Sequence, residues 1–264
     1  MIIGVYAPKP GMGTSTLSRN LAHIASKKSK VLLVELDYFY PSSSLVFGVS
    51  DHVRNIEACV ADYTEKRKNW NIMDYVLDHT NVKPHSYKWP RKLSALLPLG
   101  KKGFEYFPDE PETFVSDLIT QANDVGFQDV ILDMSAMIDT HFTFNALKTS
   151  DVVLCLFNNS YAVSQTFLHR IQAMKEHKMV KEYLVVTNPT RKGLHAEAVY
   201  KDIVSKQLPT VSLPFDSKQI KSEKICNVRM SHAYEKAIKK LINKLATMEK
   251  EMKRDEWGAV AYAN

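Results

Sequence analysis

Nine residues in three stretches carry groups from which chemistry could be built: Lys9, Gly11, Gly13, Thr14, Ser15 and Thr16, then Glu35 and Asp37, then Asp133. The first set offers hydroxyls, an ammonium and, at its glycines, backbone that can close tightly around a ligand. Such a set suits an anion. The carboxylates suit a hard metal ion or the orientation of water. Together they describe a site for a phosphate ester with a divalent cation.

Position depends on the elements that carry these groups. In Met1–Leu21, MIIGVYAPKPGMGTSTLSRNL, the apolar run Met1–Ala7 predicts a short buried strand and Pro8–Gly13 a turn-rich loop. Leu17, Leu21 and Ile24 then fall at helical spacing from Thr14 onward. At such a strand–loop–helix junction, backbone N–H groups and the positive end of the helix dipole converge on one point, where a phosphate binds well. Ser15 stands where the magnesium-binding hydroxyl of the P-loop pattern G-x-x-x-x-G-K-[ST] stands, whereas Pro8 replaces the first glycine and Thr14 the lysine. Val31–Leu36 predicts a second buried strand running into Asp37; Glu35 and Asp37 alternate and so face one side. Asp129–Asp133 is an apolar strand ending in an acid, the form of a Walker B segment whose carboxylate holds magnesium through water. A glycine-containing turn that binds nothing, with acids that merely cap the following loops, is the plainer alternative.

The rest of the chain keeps a βαβ rhythm. Residues 51–90 are mostly helical in pattern and mixed in charge, and Leu93–Leu99 predicts a strand. Helices are predicted over Pro111–Asn123, His141–Leu147, Tyr161–His177 and Ser231–Arg254, with strands at Asp151–Phe157 and Glu182–Val186 between them. The expected fold is α/β, a doubly wound, mainly parallel sheet with helices on both faces. One domain over residues 1–250 with a tail at 251–264 is the expected organisation. Trp70, Tyr87 and Trp89 are aromatics among lysines, which cover a core edge more often than they stack on bases.

Composition narrows the class. The chain has 264 residues, 45% of them hydrophobic, enough for one sizeable core. No run of about 18 apolar residues occurs, and Met1–Ala7 has no basic flank, so neither a membrane-spanning helix nor a signal peptide is expected. The expected location is the cytoplasm. Cys59, Cys155 and Cys226 are odd in number and far apart, which argues against a disulfide framework or a zinc site. A net charge of +6 permits contact with nucleic acid or anionic lipid without requiring it.

The run Lys9-Pro-Gly-Met-Gly-Thr-Ser-Thr16 resembles the deviant P-loop of the ParA/MinD superfamily of P-loop ATPases, K-G-G-x-G-K-[ST], with one lysine lost. Gly11–Ala22, including Asn20 and Ala22, is similar to the form found in the TadZ/CpaE branch. The resemblance implies ATP or ADP with Mg2+, held by Lys9, Gly11, Met12, Gly13, Thr14, Ser15 and Thr16. Lys9 would be the signature lysine that crosses to a partner's phosphates in an ATP-bridged homodimer. Asp37 would orient the attacking water, with Glu35, Asp37, Asp133 and Ser15 near the metal. Asn188, after a late strand, and Pro214 and Asp216, in Val211-Ser-Leu-Pro-Phe-Asp216, match the segments that flank the adenine. Departures are Glu35, where the family has Asp, and Met134-Ser-Ala-Met137, where it has a glycine-containing switch.

Three functions stay open on these residues. A positioning or scaffold factor for a pilus, secretion or similar assembly would bind ATP, dimerise and hydrolyse weakly or not at all, because Thr14 removes a charge from the transition state. It could be recruited to a pole, a membrane-associated machine or the nucleoid. A partitioning ATPase would hold non-specific DNA through Lys218, Lys221, Lys224 and Arg229, which otherwise form a solvated basic face. A nucleotide-free remnant would serve as a protein-interaction module. Peripheral membrane contact through the lysine-rich C-terminal helix is disfavoured by the lack of amphipathic design after Asp255.

Overall fold

The structure is a computed structural model that describes residues 1–38, 40–49, 53–66, 69–82, 87–99, 111–157, 161–188, 210–224 and 228–261. Cys226 and the last three residues of the expected tail lie outside the described residues, as does the side chain of Lys224.

Seven strands form one sheet: β1 (Ile2–Tyr6), β2 (Val31–Glu35), β3 (Leu93–Leu96), β4 (Asp129–Asp133), β5 (Val152–Phe157), β6 (Glu182–Thr187) and β7 (Thr210–Ser212). Their order is β3-β2-β4-β1-β5-β6-β7, and every pair of neighbours is parallel. Parallel strands need covered faces, which explains their near-continuous apolar runs such as VLLVE and VVLCLF. From β1 the chain builds outward through β2 to β3, returns through β4, then builds the other edge from β5. Loops at the C-terminal ends of β1, β2 and β4 therefore meet where the direction reverses, the usual ligand crevice of an open α/β sheet.

Alternating side chains fill two cores. On one face Leu33, Ile131, Leu154 and Leu184 pack with Leu17 and Leu21 of α1 (Thr14–Ala25) and with Ile238, Leu241 and Leu245 of the last helix. On the other, Leu32, Leu132 and Val153 pack with Phe114, Phe142 and Phe167. These three phenylalanines belong to α4 (Phe114–Asp124), α5 (His141–Thr149) and α6 (Tyr161–Glu176). Between β2 and β3 lie α2 (Ser43–Phe47), α3 (Ile56–Lys66) and a single 3₁₀ turn at Ile72–Asp74. Trp70 is buried against Tyr63 and Phe114, and Tyr87 and Trp89 pack on Phe47, so these aromatics close the core and offer no stacking platform.

Two elements differ from expectation. β3 stops at Leu96 because the next residues turn to α3: the Leu97 carbonyl accepts from Ile56 N at 3.1 Å, and Leu99 N donates to the Glu57 carboxylate at 3.0 Å. After the short α7 (Ser217–Lys224), α8 spans His232–Ala261 and so runs past the predicted end at Arg254. Met248 and Met252 extend its apolar stripe, and Lys253 pairs with Glu249 at 2.8 Å one turn back, so nothing local ends the helix there. Among the described residues no helix is long and apolar enough to cross a membrane.

Candidate functional site

Gly11 and Gly13 both take the left-handed backbone region, with φ of 78° and 94°, so a side chain at either would be strained. Gly13 is the N-cap of α1, with no side-chain cap and no acid in the first helical turn. The first amides of α1 and its dipole are thereby left for an outside anion. Two contacts fix the loop from below. Met12 is buried in the core, and Asn188, just past β6, donates from Nδ2 to the Met12 carbonyl at 2.9 Å. A side chain on Gly13 would run into that same Asn188 amide.

The loop opens on a cleft of about 240 Å3 lined by Lys9, Gly11, Gly13, Thr14, Ser15 and Thr16 on one side and by Asp37, Tyr40, Ser42 and Ala136 on the other, with Arg19 also on its wall. Lys9 is exposed at its lip. Asp37 accepts from Tyr40 N at 3.1 Å and still lines the cleft. A larger hollow of about 450 Å3 lies further along α1, between His23 and Lys27 and the segment carrying Lys218, Lys221 and Arg229. It has cations but neither the glycine loop nor the acid pair, so the smaller cleft is the better phosphate site.

Behind the cleft, Glu35 and Asp133 end β2 and β4 directly opposite each other in the ladder, both fully buried. Burial pushes the Glu35 carboxyl up, opposed by the amides of Ser42 and Ser43 and by Arg19. Glu35 Oε1 accepts from Ser42 N at 2.9 Å and Ser43 N at 3.2 Å, so it anchors the start of α2. Asp133 is pushed well above the usual carboxylate range by burial first and by Glu35 second, eased by the Ser15 hydroxyl and Arg19. Neither Asp133 oxygen has a partner within hydrogen-bond geometry among the described residues, the Ser15 hydroxyl acting on it without meeting that geometry. An orphaned buried carboxylate requires a physical reason. A hydrated Mg2+ near Ser15 supplies one, since magnesium keeps several waters and takes few protein oxygens. Among the described residues no group of three His, Cys, Asp or Glu could hold a metal alone, so the ion would need ligand phosphate oxygens. Ser15, Asp133 and Asp37 are the residues that fit it.

Lys9, Gly11, Gly13, Thr14, Ser15, Thr16 and Asp37 thus share one cleft, with Met12, Glu35 and Asp133 beneath or behind it. The expected adenine residues do not join that lining. Asn188 abuts the loop with its amide N–H given to Met12. Pro214 is half-buried beside Asp216, whose carboxylate accepts from Lys218 N at 3.0 Å and Ser231 N at 2.6 Å and so ties α7 to the start of α8. Sequence reasoning missed Arg19. The residue is 4% exposed and bonds Ser42 and Ser43, although it lies off the Leu17–Leu21 stripe. Its burial comes from the 42–43 segment folding over it, for which the helix sequence has no signal.

No protein-family model matches the chain. Over 103 residues it is 26% identical to an uncharacterized ATP-binding protein of Methanocaldococcus jannaschii, a match that spans 39% of the length of each. Solved structures match far more of it. A protein of Borrelia burgdorferi described as a plasmid partition protein, bound to AMPPNP, gives a TM-score of 0.71 at 17% identity, covering 93% of this chain and 98% of that one. The septum site-determining protein MinD of Pyrococcus horikoshii, complexed with Mg-ADP, gives 0.70 at 16% identity, covering 93% and 96%. A chain of the MinC:MinD cell division protein complex of Aquifex aeolicus gives 0.69 at 16% identity, covering 92% and 95%. At these identities the likeness is one of fold, and that fold is the α/β architecture of the ParA/MinD P-loop NTPases.

Proposed function

We propose that the chain binds ATP or ADP with Mg2+ in the cleft beside Gly11–Thr16 and acts as a nucleotide-dependent dimeric positioning or scaffold factor. The observation that carries this reading is the uncapped N-terminus of α1 behind two left-handed glycines, set next to a buried carboxylate with no partner among the described residues. Lys9, exposed at the lip, can reach the phosphates of a second copy across an ATP-bridged face. The first helical position carries Thr14 and no ammonium, so less charge is neutralised in a phosphoryl-transfer transition state and hydrolysis is weak or absent. The TadZ/CpaE-like form of Gly11–Ala22 supports a pilus or secretion assembly as cargo.

The test is a thermal shift with ATP–Mg, with association read by light scattering. Ligand at about a hundred times its Kd stabilises the fold by roughly 2.7 kcal/mol, so wild type should shift by several degrees and double in mass. Lys9→Ala should keep the shift and lose the dimer; Asp37→Ala should keep both and lose residual turnover. Wild type with neither shift nor dimer would sink the nucleotide reading and leave an interaction module.

The 450 Å3 hollow favours a second reading, a partitioning ATPase, because Lys27, Lys218, Lys221 and Arg229 converge there from three parts of the chain. In that case non-specific DNA binds only with ATP and weakens steeply with salt. Binding insensitive to Lys218→Ala and Arg229→Ala would exclude it.

A further inference from the structure

Arg19 is a buried cation on the wall of the phosphate cleft, and the residues around it belong to both sides of that cleft. Its Nη1 donates to Ser42 Oγ at 2.7 Å and Ser43 Oγ at 3.3 Å, and Nη2 lies 3.5 Å from Thr16 Oγ1. Thr16 and Ser42 line the cleft, so the guanidinium spans from the loop helix to the segment after β2. A charge buried this far needs compensation, and its field reaches both Glu35 and Asp133.

The charge balance of the cleft gives this residue a role. Among the described residues Lys9 and Arg19 are the cations that line it, and Lys9 is exposed at the lip. On the other side stand Asp37 and, behind it, the two buried acids. A triphosphate entering beside Asp37, with two buried acids behind it, needs an interior cation to offset its own charge. Thr14 cannot supply that cation. Hydroxyls are weaker acceptors for a guanidinium than an anionic phosphate oxygen, so the contacts to Ser42 and Thr16 are ones a phosphate can replace or join.

We infer that Arg19 serves the phosphates from the wall of the cleft in place of the lysine missing at Thr14. This rests on the nucleotide reading above and adds to it a discrimination: Arg19 favours a polyphosphate over a monophosphate, because a polyphosphate brings more anionic oxygens for the guanidinium to pair with.

The experiment is competition of ATP and of AMP against a fluorescent ATP analogue, on the full chain with Mg2+. Arg19→Gln keeps hydrogen-bonding capacity and removes the charge. It should lower ATP affinity roughly ten- to a hundredfold and AMP affinity less than about threefold. Adding Thr14→Lys to Arg19→Gln should raise ATP affinity by a larger factor than Thr14→Lys does in wild type, a rescue by coupling that a purely structural role for Arg19 does not produce. Arg19→Lys should keep the preference for ATP over AMP, and it decides the matter if Arg19→Gln does not fold. The inference is overturned if Arg19→Gln binds ATP as wild type does, or loses ATP and AMP equally without rescue by Thr14→Lys. It is equally overturned if folded Arg19→Lys loses the preference. Wild type that binds neither nucleotide overturns the underlying nucleotide reading instead.

Discussion

Two groups of polar residues beside the glycine loop are built from similar residue types and differ in what those residues have left to give. In the first, α1 begins with no side-chain cap and Asp133 is buried with neither oxygen in hydrogen-bond geometry with a partner among the described residues. Around Asn188, Pro214 and Asp216, by contrast, the polar side chains are already engaged. Asn188 holds the Met12 carbonyl, and Asp216 holds two backbone amides. Folding normally satisfies buried polar groups, because leaving one unmade costs about 1–3 kcal/mol. Groups left unsatisfied mark where a ligand completes the structure, and satisfied ones mark where the structure completes itself. By that measure the start of α1 and Asp133 have capacity left to give, while Asn188 and Asp216 brace the frame.

The contrast is sharpest in Asp216→Ala. Removing a carboxylate that accepts from Lys218 N and Ser231 N uncaps α7 and loosens the start of α8, and should destabilise the ligand-free protein by about 2 kcal/mol in urea unfolding. Unchanged stability would mean that Asp216 is not a brace. Asp133→Asn should act in the opposite direction. Neutralising a buried carboxyl that lacks a partner should raise metal-free stability at pH 8 by about 1–2 kcal/mol while removing the gain from Mg-nucleotide.

The same pair sets a pH dependence. Glu35 and Asp133 both have carboxyls raised above their ordinary values of 4.5 and 3.8, so above about pH 4 these two groups bind more protons in the folded chain than in the unfolded one. Their contribution to metal-free stability is therefore fully present below that range and is lost as pH rises through the raised values. Asp133→Asn should remove its share of that contribution, so that wild type loses stability relative to Asp133→Asn as pH rises, and a difference between the two that does not change with pH would refute the assignment. The smallest effect belongs to Asn188→Ala, about 1 kcal/mol from the lost bond to Met12. A large loss of nucleotide affinity with little loss of stability would instead place Asn188 at the ligand.

Much of the frame was readable from local pattern. Asp129–Asp133 is a strand with the predicted ends, and Leu17, Leu21 and Ile24 form the buried face of α1. Both follow from apolar periodicity, which reports whether a segment has one covered face or two. The end of β3 was not readable, because Leu97 and Leu99 leave the sheet for partners at Ile56 and Glu57, some forty residues away. The role of Glu35 was equally hidden. Its carboxylate could have faced a metal, and only the position of Ser42 and Ser43 shows it anchoring the start of α2.

By itself the sequence determined most of the strands, the longer helices and that a glycine loop joins β1 to α1, since backbone propensity and side-chain period act over a few residues, but it did not show the short β7, α2 and α7. Tertiary structure alone decided that β4 lies between β1 and β2. That placement sets Asp133 against Glu35 and beside Ser15, and folds Ser42 over Arg19. These are pairings of residues distant in the chain, fixed by strand register and by the burial of both sheet faces, and no local pattern encodes them.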